Sequence, residues 1–82
     1  MTVRFIKKVI DCIEFEFYIN SIGDELICEI DLVLDIDVDK IEEFYSETFI
    51  LSAADKTYVF GNYELSEYFK KGEYTKVILI KK

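Results

Sequence analysis

The chain has 82 residues, enough for one small domain and too few for two. Half of them are apolar, with seven Phe and six Tyr, and there are three Gly and no Pro, which excludes a disordered or linker-like segment. The net charge of −7 is uneven: residues 11–47 hold thirteen acids and only Lys40, a balance of −12, between mildly basic ends of +3 and +2. Such a surface repels phosphates, so the expected partner is protein and not nucleic acid.

In chain order, Val3, Phe5 and Val9 with Ile6 and Ile10 suggest an extended segment. A change of phase near Lys7-Lys8 leaves open one long bent strand or two short ones. Ile13, Phe15, Phe17 and Ile19 then share one parity, with Glu14, Glu16 and Tyr18 between them. Asn20-Ser21-Ile22-Gly23-Asp24 has turn chemistry. Beyond it, the even positions from Leu26 to Val38 are all apolar and the odd ones mostly acidic. Strict alternation is the mark of a strand with one face buried and one in water. Residues 12–19 and 25–34 are therefore predicted to pair as an antiparallel hairpin.

After Ile36 the period changes. Ile41, Phe44 and Tyr45 form a helical stripe, and Asp39 or Asp37 offers an N-cap, the latter with Ile36 and Ile41 as its staple. A helix over residues 38–46 is too short to stand alone, so Ile41 and Phe44 must pack on the sheet. Residues 48–51 and 57–60 are β-prone around an Ala53–Lys56 turn. Residues 64–69 are expected to oppose 74–80 across Lys70-Lys71-Gly72-Glu73, with a helix for 62–70 as the alternative. The final Val77-Ile78-Leu79-Ile80 run is apolar on both faces and reads as a central strand. The expected fold class is α+β: a mainly antiparallel sheet of about five strands, with one short helix on one face, in a single domain spanning residues 1–82.

The chemistry-bearing residues are sparse. With no histidine, the commonest general base and metal ligand is missing. Cys12 and Cys28 sit at apolar positions, without the spacing of a zinc site, and read as reduced thiols of a cytoplasmic protein. Carboxylate pairs (Glu14 and Glu16, Glu29 and Asp31, Asp35 and Asp37) project from a solvated strand face, not into a cleft where catalysis would tune them. Asp35-Ile36-Asp37-Val38-Asp39 opens like a calcium loop, but Lys40 stands where the loop needs Gly and Ser46 where it needs a closing Glu. The three scattered glycines make no phosphate loop. No enzyme activity, cofactor or metal is expected. No run of apolar residues approaches a membrane span, and the N-terminus lacks the pattern of a signal peptide.

What remains is a protein-binding surface. Its candidate residues are the acids Glu29, Asp31, Asp35 and Asp37 and the tyrosines Tyr18, Tyr58, Tyr63 and Tyr74, with an open sheet edge as a further means of recruiting a strand.

Residues 41–82 resemble, in order and texture, small uncharacterised proteins of phages and prophages of Gram-positive bacteria. The resemblance lies in the acidic helix Val38-Asp39-Lys40-Ile41-Glu42-Glu43-Phe44, the strand Thr48-Phe49-Ile50-Leu51, the turn-and-strand segment Asp55-Lys56-Thr57-Tyr58-Val59-Phe60-Gly61-Asn62-Tyr63-Glu64-Leu65, and the closing strand Thr75-Lys76-Val77-Ile78-Leu79-Ile80. It implies a non-enzymatic virion or assembly component, in the bacterial host cytoplasm or the particle, that contacts protein or itself. The acidic block suggests an alternative: an anti-defence inhibitor that mimics nucleic acid toward a basic host nuclease or DNA-binding protein.

Overall fold

The structure is a computed structural model and describes residues 1–6 and 8–82. Seven strands alternate with one helical turn: β1 (Thr2–Phe5), β2 (Lys8–Ile22), β3 (Glu25–Leu34), a 3-10 turn (Val38–Lys40) running into α1 (Ile41–Phe44), β4 (Phe49–Ala53), β5 (Lys56–Phe60), β6 (Tyr63–Lys71) and β7 (Tyr74–Lys81). All pairings are antiparallel, and the strands form one sheet in the order β5-β4-β1-β2-β3-β7-β6. The α+β class holds, but the sheet has seven strands where about five were expected. The count rises because the N-terminal segment and residues 64–69, both expected to be extended, each contribute a strand of their own. Thr2–Phe5 is a short strand of its own and Lys8–Asp11 is the start of the long β2, the two paired from Thr2↔Asp11 to Phe5↔Lys8, so the segment is neither one bent strand nor two short ones. Of the proposed Lys7-Lys8 irregularity, Lys7 lies outside the described residues.

Residues 62–70 are a strand and not the alternative helix. A bulge between Leu65 and Glu67 explains the ambiguity. It resets the alternation, so that the inward side chains fall at Tyr63, Leu65 and then Tyr68, a spacing that resembles a helix in sequence. A second bulge lies between Cys12 and Glu14. It takes Ile13 out of the inward row that Phe15 continues and leaves it exposed.

Three connections are two-residue hairpin loops: Gly23-Asp24, Ala54-Asp55 and Gly72-Glu73. In each, the first loop residue has positive φ, at 61° for Gly23, 47° for Ala54 and 62° for Gly72. That matches a primed hairpin turn, whose twist suits the strands it joins. Ala54 takes this conformation without glycine's freedom.

β5 and β6 lie at opposite edges of the sheet, yet only Gly61 and Asn62 separate them in the chain. From Phe60 to Tyr63 the backbone spans at most about 11 Å. The sheet must therefore curl until its edges meet at one end. Asn62, at φ 62°, makes the turn and accepts the Lys82 amide at 2.8 Å, while the Tyr63 amide donates to Glu47 at 3.0 Å.

The curl makes one core from the inner face. Val3, Phe5, Ile10, Cys12, Leu51 and Phe49 come from the first half, and Ile30, Leu32, Leu34, Val77, Leu79 and Tyr63 from the second. Phe49 joins them: its ring lies 5.7 Å from Phe5, 5.3 Å from Phe60 and 6.1 Å from Tyr63. Ile41 plugs this core from the helical turn, with Ile36, Phe44 and Tyr45 packed beside it. Asp37 stands extended at the cap position, but its carboxylate makes no capping hydrogen bond. The turn is instead held from the sheet: Thr75 Oγ1 donates to the Ile36 carbonyl at 2.6 Å, and the Tyr68 hydroxyl donates to Glu42 at 2.8 Å.

Candidate functional site

β2 and β3 outrun the sheet around them. β1 accompanies β2 only as far as Asp11, after which the Cys12 amide donates to the Met1 carbonyl at 2.9 Å. From residue 13 to residue 22, β2 has a strand on its β3 side and none on the other among the described residues. β7 accompanies β3 only from Glu29 onward. Residues 19–28 are thus a two-stranded arm, with no third strand on either side among the described residues. The arm keeps the alternating pattern of a core hairpin but loses its cover. Phe17 is 45% exposed, Ile19 62%, Ile22 66% and Leu26 74%. The expected burial of even positions from Leu26 holds for Ile30, Leu32 and Leu34, is partial for Cys28, and fails at Leu26.

Beside the free edge the curled sheet leaves an open apolar groove of about 410 Å³. Phe15 and Phe17 of β2 line one wall and Leu51, Ala53, Tyr58 and Phe60 the other, with Met1 at its end. Tyr58 is the one candidate tyrosine in this groove. Its ring stacks toward Phe60 at 6.4 Å, and Phe60 in turn meets Phe15 at 5.9 Å.

The remaining candidates scatter. Tyr63 is 3% exposed, because it faces inward from β6 onto Phe49 and Phe60. It is a core residue and not a surface anchor. Tyr18 is on the outward face of β2, and its hydroxyl donates to Glu16. Tyr74 and Asp37 line a shallow depression with Lys70, Glu73 and Thr75, and Asp35 an adjoining one with Lys8 and Lys40. Both mix charges of either sign. Asp35 and Asp37 lie beyond the end of β3 and do not extend the strand's acidic row.

Glu29 and Asp31 do share the outward face, where the register sets Glu16 opposite Asp31 and Glu64 opposite Ile80, next to Glu29. Asp31 is not displayed to solvent, however. Its side chain is 12% exposed and its Oδ2 lies 3.6 Å from Lys76 Nζ, while its buried Oδ1 has no hydrogen-bond partner among the described residues. The Glu29 carboxyl is raised above the ordinary carboxylate range, first by the hydrogen bond it shares with Asp31 when protonated, then by burial and by that neighbour's charge, against the pull of Lys76. Lys71 lies 3.8 Å from Glu14 on the same face. Glu16, Glu29, Glu64 and Glu67 have no ion-pair partner among the described residues.

Cys12 is buried and donates to the Glu14 carbonyl at 3.1 Å. Burial pushes its thiol up to about 11. Cys12 opposes Leu34 and Cys28 opposes Ile19, which places the two sulfurs roughly 20 Å apart along the ladder, so they cannot bridge. Among the described residues no three metal-ligating side chains gather, and no helix is long and apolar enough to cross a membrane. The arm was hidden in the sequence because its residues carry a core pattern. The only available signal was length, since residues 12–34 make strands longer than the five or six residues typical of sheets.

No family model matches the chain, and no curated protein or solved structure is significantly similar to it.

Proposed function

We propose that this chain is a non-enzymatic protein that works by protein–protein contact, as a small structural or assembly component of a phage or prophage particle. The contact mode rests on one observation: the unpaired edge of β2 exposes Phe17 and Ile19 on its inner face, beside an apolar groove, and Ile22 on its outer face, with Leu26 exposed next to it on β3. Water is a poor neighbour for such a surface, and a bound strand is a good one, because it satisfies the edge amides and covers the apolar side chains together. The phage setting rests on the resemblance of residues 41–82 alone. Mass spectrometry of purified particles tests it: the chain should be present in stoichiometric amount, and its absence removes the virion role. Photo-crosslinking from position 19 tests the contact mode. Adducts should form from that position and not from Asp55, which lies on the loop between β4 and β5.

The acidic outer face favours a second reading, an inhibitor that offers carboxylates to a basic nucleic-acid-binding protein. Glu16, Glu29, Glu64 and Glu67 lie on one face of four adjacent strands without ion-pair partners among the described residues. Against it, Lys71 and Lys76 sit within the same face, and Lys76 holds Asp31. Binding of that kind weakens steeply as salt rises. Contact through the arm does not.

A further inference from the structure

We infer that the occupant of the β2 edge is a second copy of this chain, which pairs β2 with β2 antiparallel about a two-fold axis centred near Phe17. The inference rests on the protein-contact reading and deepens it by naming the partner.

Among the described residues the outer edges of β5 and β6 and the free edge of β2 are treated differently, and the free side of β3 is only the four residues 25–28. β5 is five residues long and begins with Lys56. β6 carries Glu64, Glu67, Lys70 and Lys71 and is broken by a bulge. Short length, lysines and bulges are the ordinary means of keeping an edge from pairing. The β2 edge has none of them past its bulge at residue 13. Residues 17–22 read Phe-Tyr-Ile-Asn-Ser-Ile, six β-compatible residues with no charge and no proline. The arm is also two strands wide, and an isolated two-stranded hairpin is marginal in water. A strand added on the β2 side would make it a three-stranded sheet.

The sequence of this edge is compatible with itself. In an antiparallel pair whose faces match, residues of like parity stand opposite one another. Centred on Phe17, the register sets Phe17 against its own copy, Phe15 against Ile19 of the second copy, Glu16 against Tyr18, and Glu14 against Asn20. No acid faces an acid, although each chain carries −7. Phe15 lines the apolar groove, so Ile19 of the second copy arrives at the groove's mouth. Phe17, Ile19 and Met1 beside the groove and Tyr18 and Ile22 on the outer face offer roughly 400–500 Å² of exposed side-chain surface along this edge, taking about 150–200 Å² for each when fully exposed. With the strand backbone added, that is more than half of the ~800 Å² per partner of a standard interface.

Sedimentation velocity on the full chain from about 1 to 100 µM tests the assignment. The wild type should shift from monomer to dimer across that range, and Phe17→Lys should weaken the dimer by at least about thirtyfold, as expected for an aromatic anchor at the centre of an interface. Val59→Lys, at a 69% exposed position on β5, should leave it intact. Because net charge opposes association, added salt should tighten the dimer, opposite in sign to the inhibitor reading. Independently, Phe17→Cys in a Cys28→Ser background, oxidised with diamide, should give a covalent dimer, since only this pairing sets position 17 against itself. A chain that stays monomeric to ~100 µM, or a Phe17→Cys variant that never cross-links, overturns the second-copy assignment. If position 19 then photo-crosslinks only to proteins of other mass, the protein-contact reading stands with a different occupant. If it cross-links to nothing, both fall.

Discussion

Replacing Phe49 by Ala removes the ring that ties the two halves of the curled sheet together. Phe49 is 1% exposed and has three aromatic neighbours, Phe5, Phe60 and Tyr63, with centroids 5.3–6.1 Å away. Truncating a buried Phe costs about 3–5 kcal/mol, and the well-packed ring contacts place this site at the upper end. A domain of this size has a total stability of about 4–12 kcal/mol. Phe49→Ala therefore removes a third or more of it, and leaves a fold at the low end of that range without a stable native state. Phe49→Leu keeps most of the volume and should cost about 1.5 kcal/mol. Urea unfolding followed by far-UV circular dichroism measures both, with the midpoint dropping by about 1–1.5 M for Leu at a slope near 1 kcal/mol/M. A loss below about 1.5 kcal/mol for Phe49→Ala would refute the reasoning, because it would mean that the β5 and β6 edges close without this ring.

Ala54→Gly relieves an L-residue held at φ 47° and should stabilise the chain by about 0.5–1 kcal/mol in the same assay, once glycine's entropy cost is subtracted. Burial holds the Cys12 thiol near 11 against an ordinary 9.0, so the native state keeps a proton that the unfolded chain loses between those values. Stability should then fall between pH 9 and 11 by about 1.4 kcal/mol per pH unit more in the wild type than in Cys12→Ala; equal slopes would contradict the buried thiol. Glu29→Gln should raise the unfolding midpoint at neutral pH. Its wild-type carboxyl is raised, so ionising it costs the fold more than the unfolded chain, and the variant's advantage should vanish as pH falls below the ordinary carboxylate range.

Alternation made much of the sheet legible in the sequence. The β2–β3 hairpin, the β6–β7 hairpin and the position of β7 between two neighbours follow from period-two patterns and turn residues that agree with one another. The places that misled are those where the backbone breaks its own period. The Leu65/Glu67 bulge made β6 read as a possible helix, and the Cys12/Glu14 bulge put Ile13 in a row it does not share. Asn20 and Ser21 suggested that β2 stops before Ile22, but both continue the ladder, opposite Ile27 and Leu26. The candidate surface was less legible, for a different reason. Side-chain parity says which residues share a face and cannot say whether a neighbouring strand arrives to cover it. Tyr63 and Asp31 were therefore expected outside and are covered, whereas Phe17, Ile19 and Leu26 carry a core pattern and are exposed.

Amide hydrogen exchange resolved residue by residue along β2, by NMR on dilute protein, bears most directly on the open edge from which the contact surface is argued. In residues 13–22 alternate amides should be protected by β3 while those between them exchange fast, since an antiparallel strand bonded on one side directs every second N–H away. Raising the protein concentration should then slow the fast set. Uniform protection of all these amides at high dilution would mean that the chain covers this edge itself, and the surface proposed for binding would not exist.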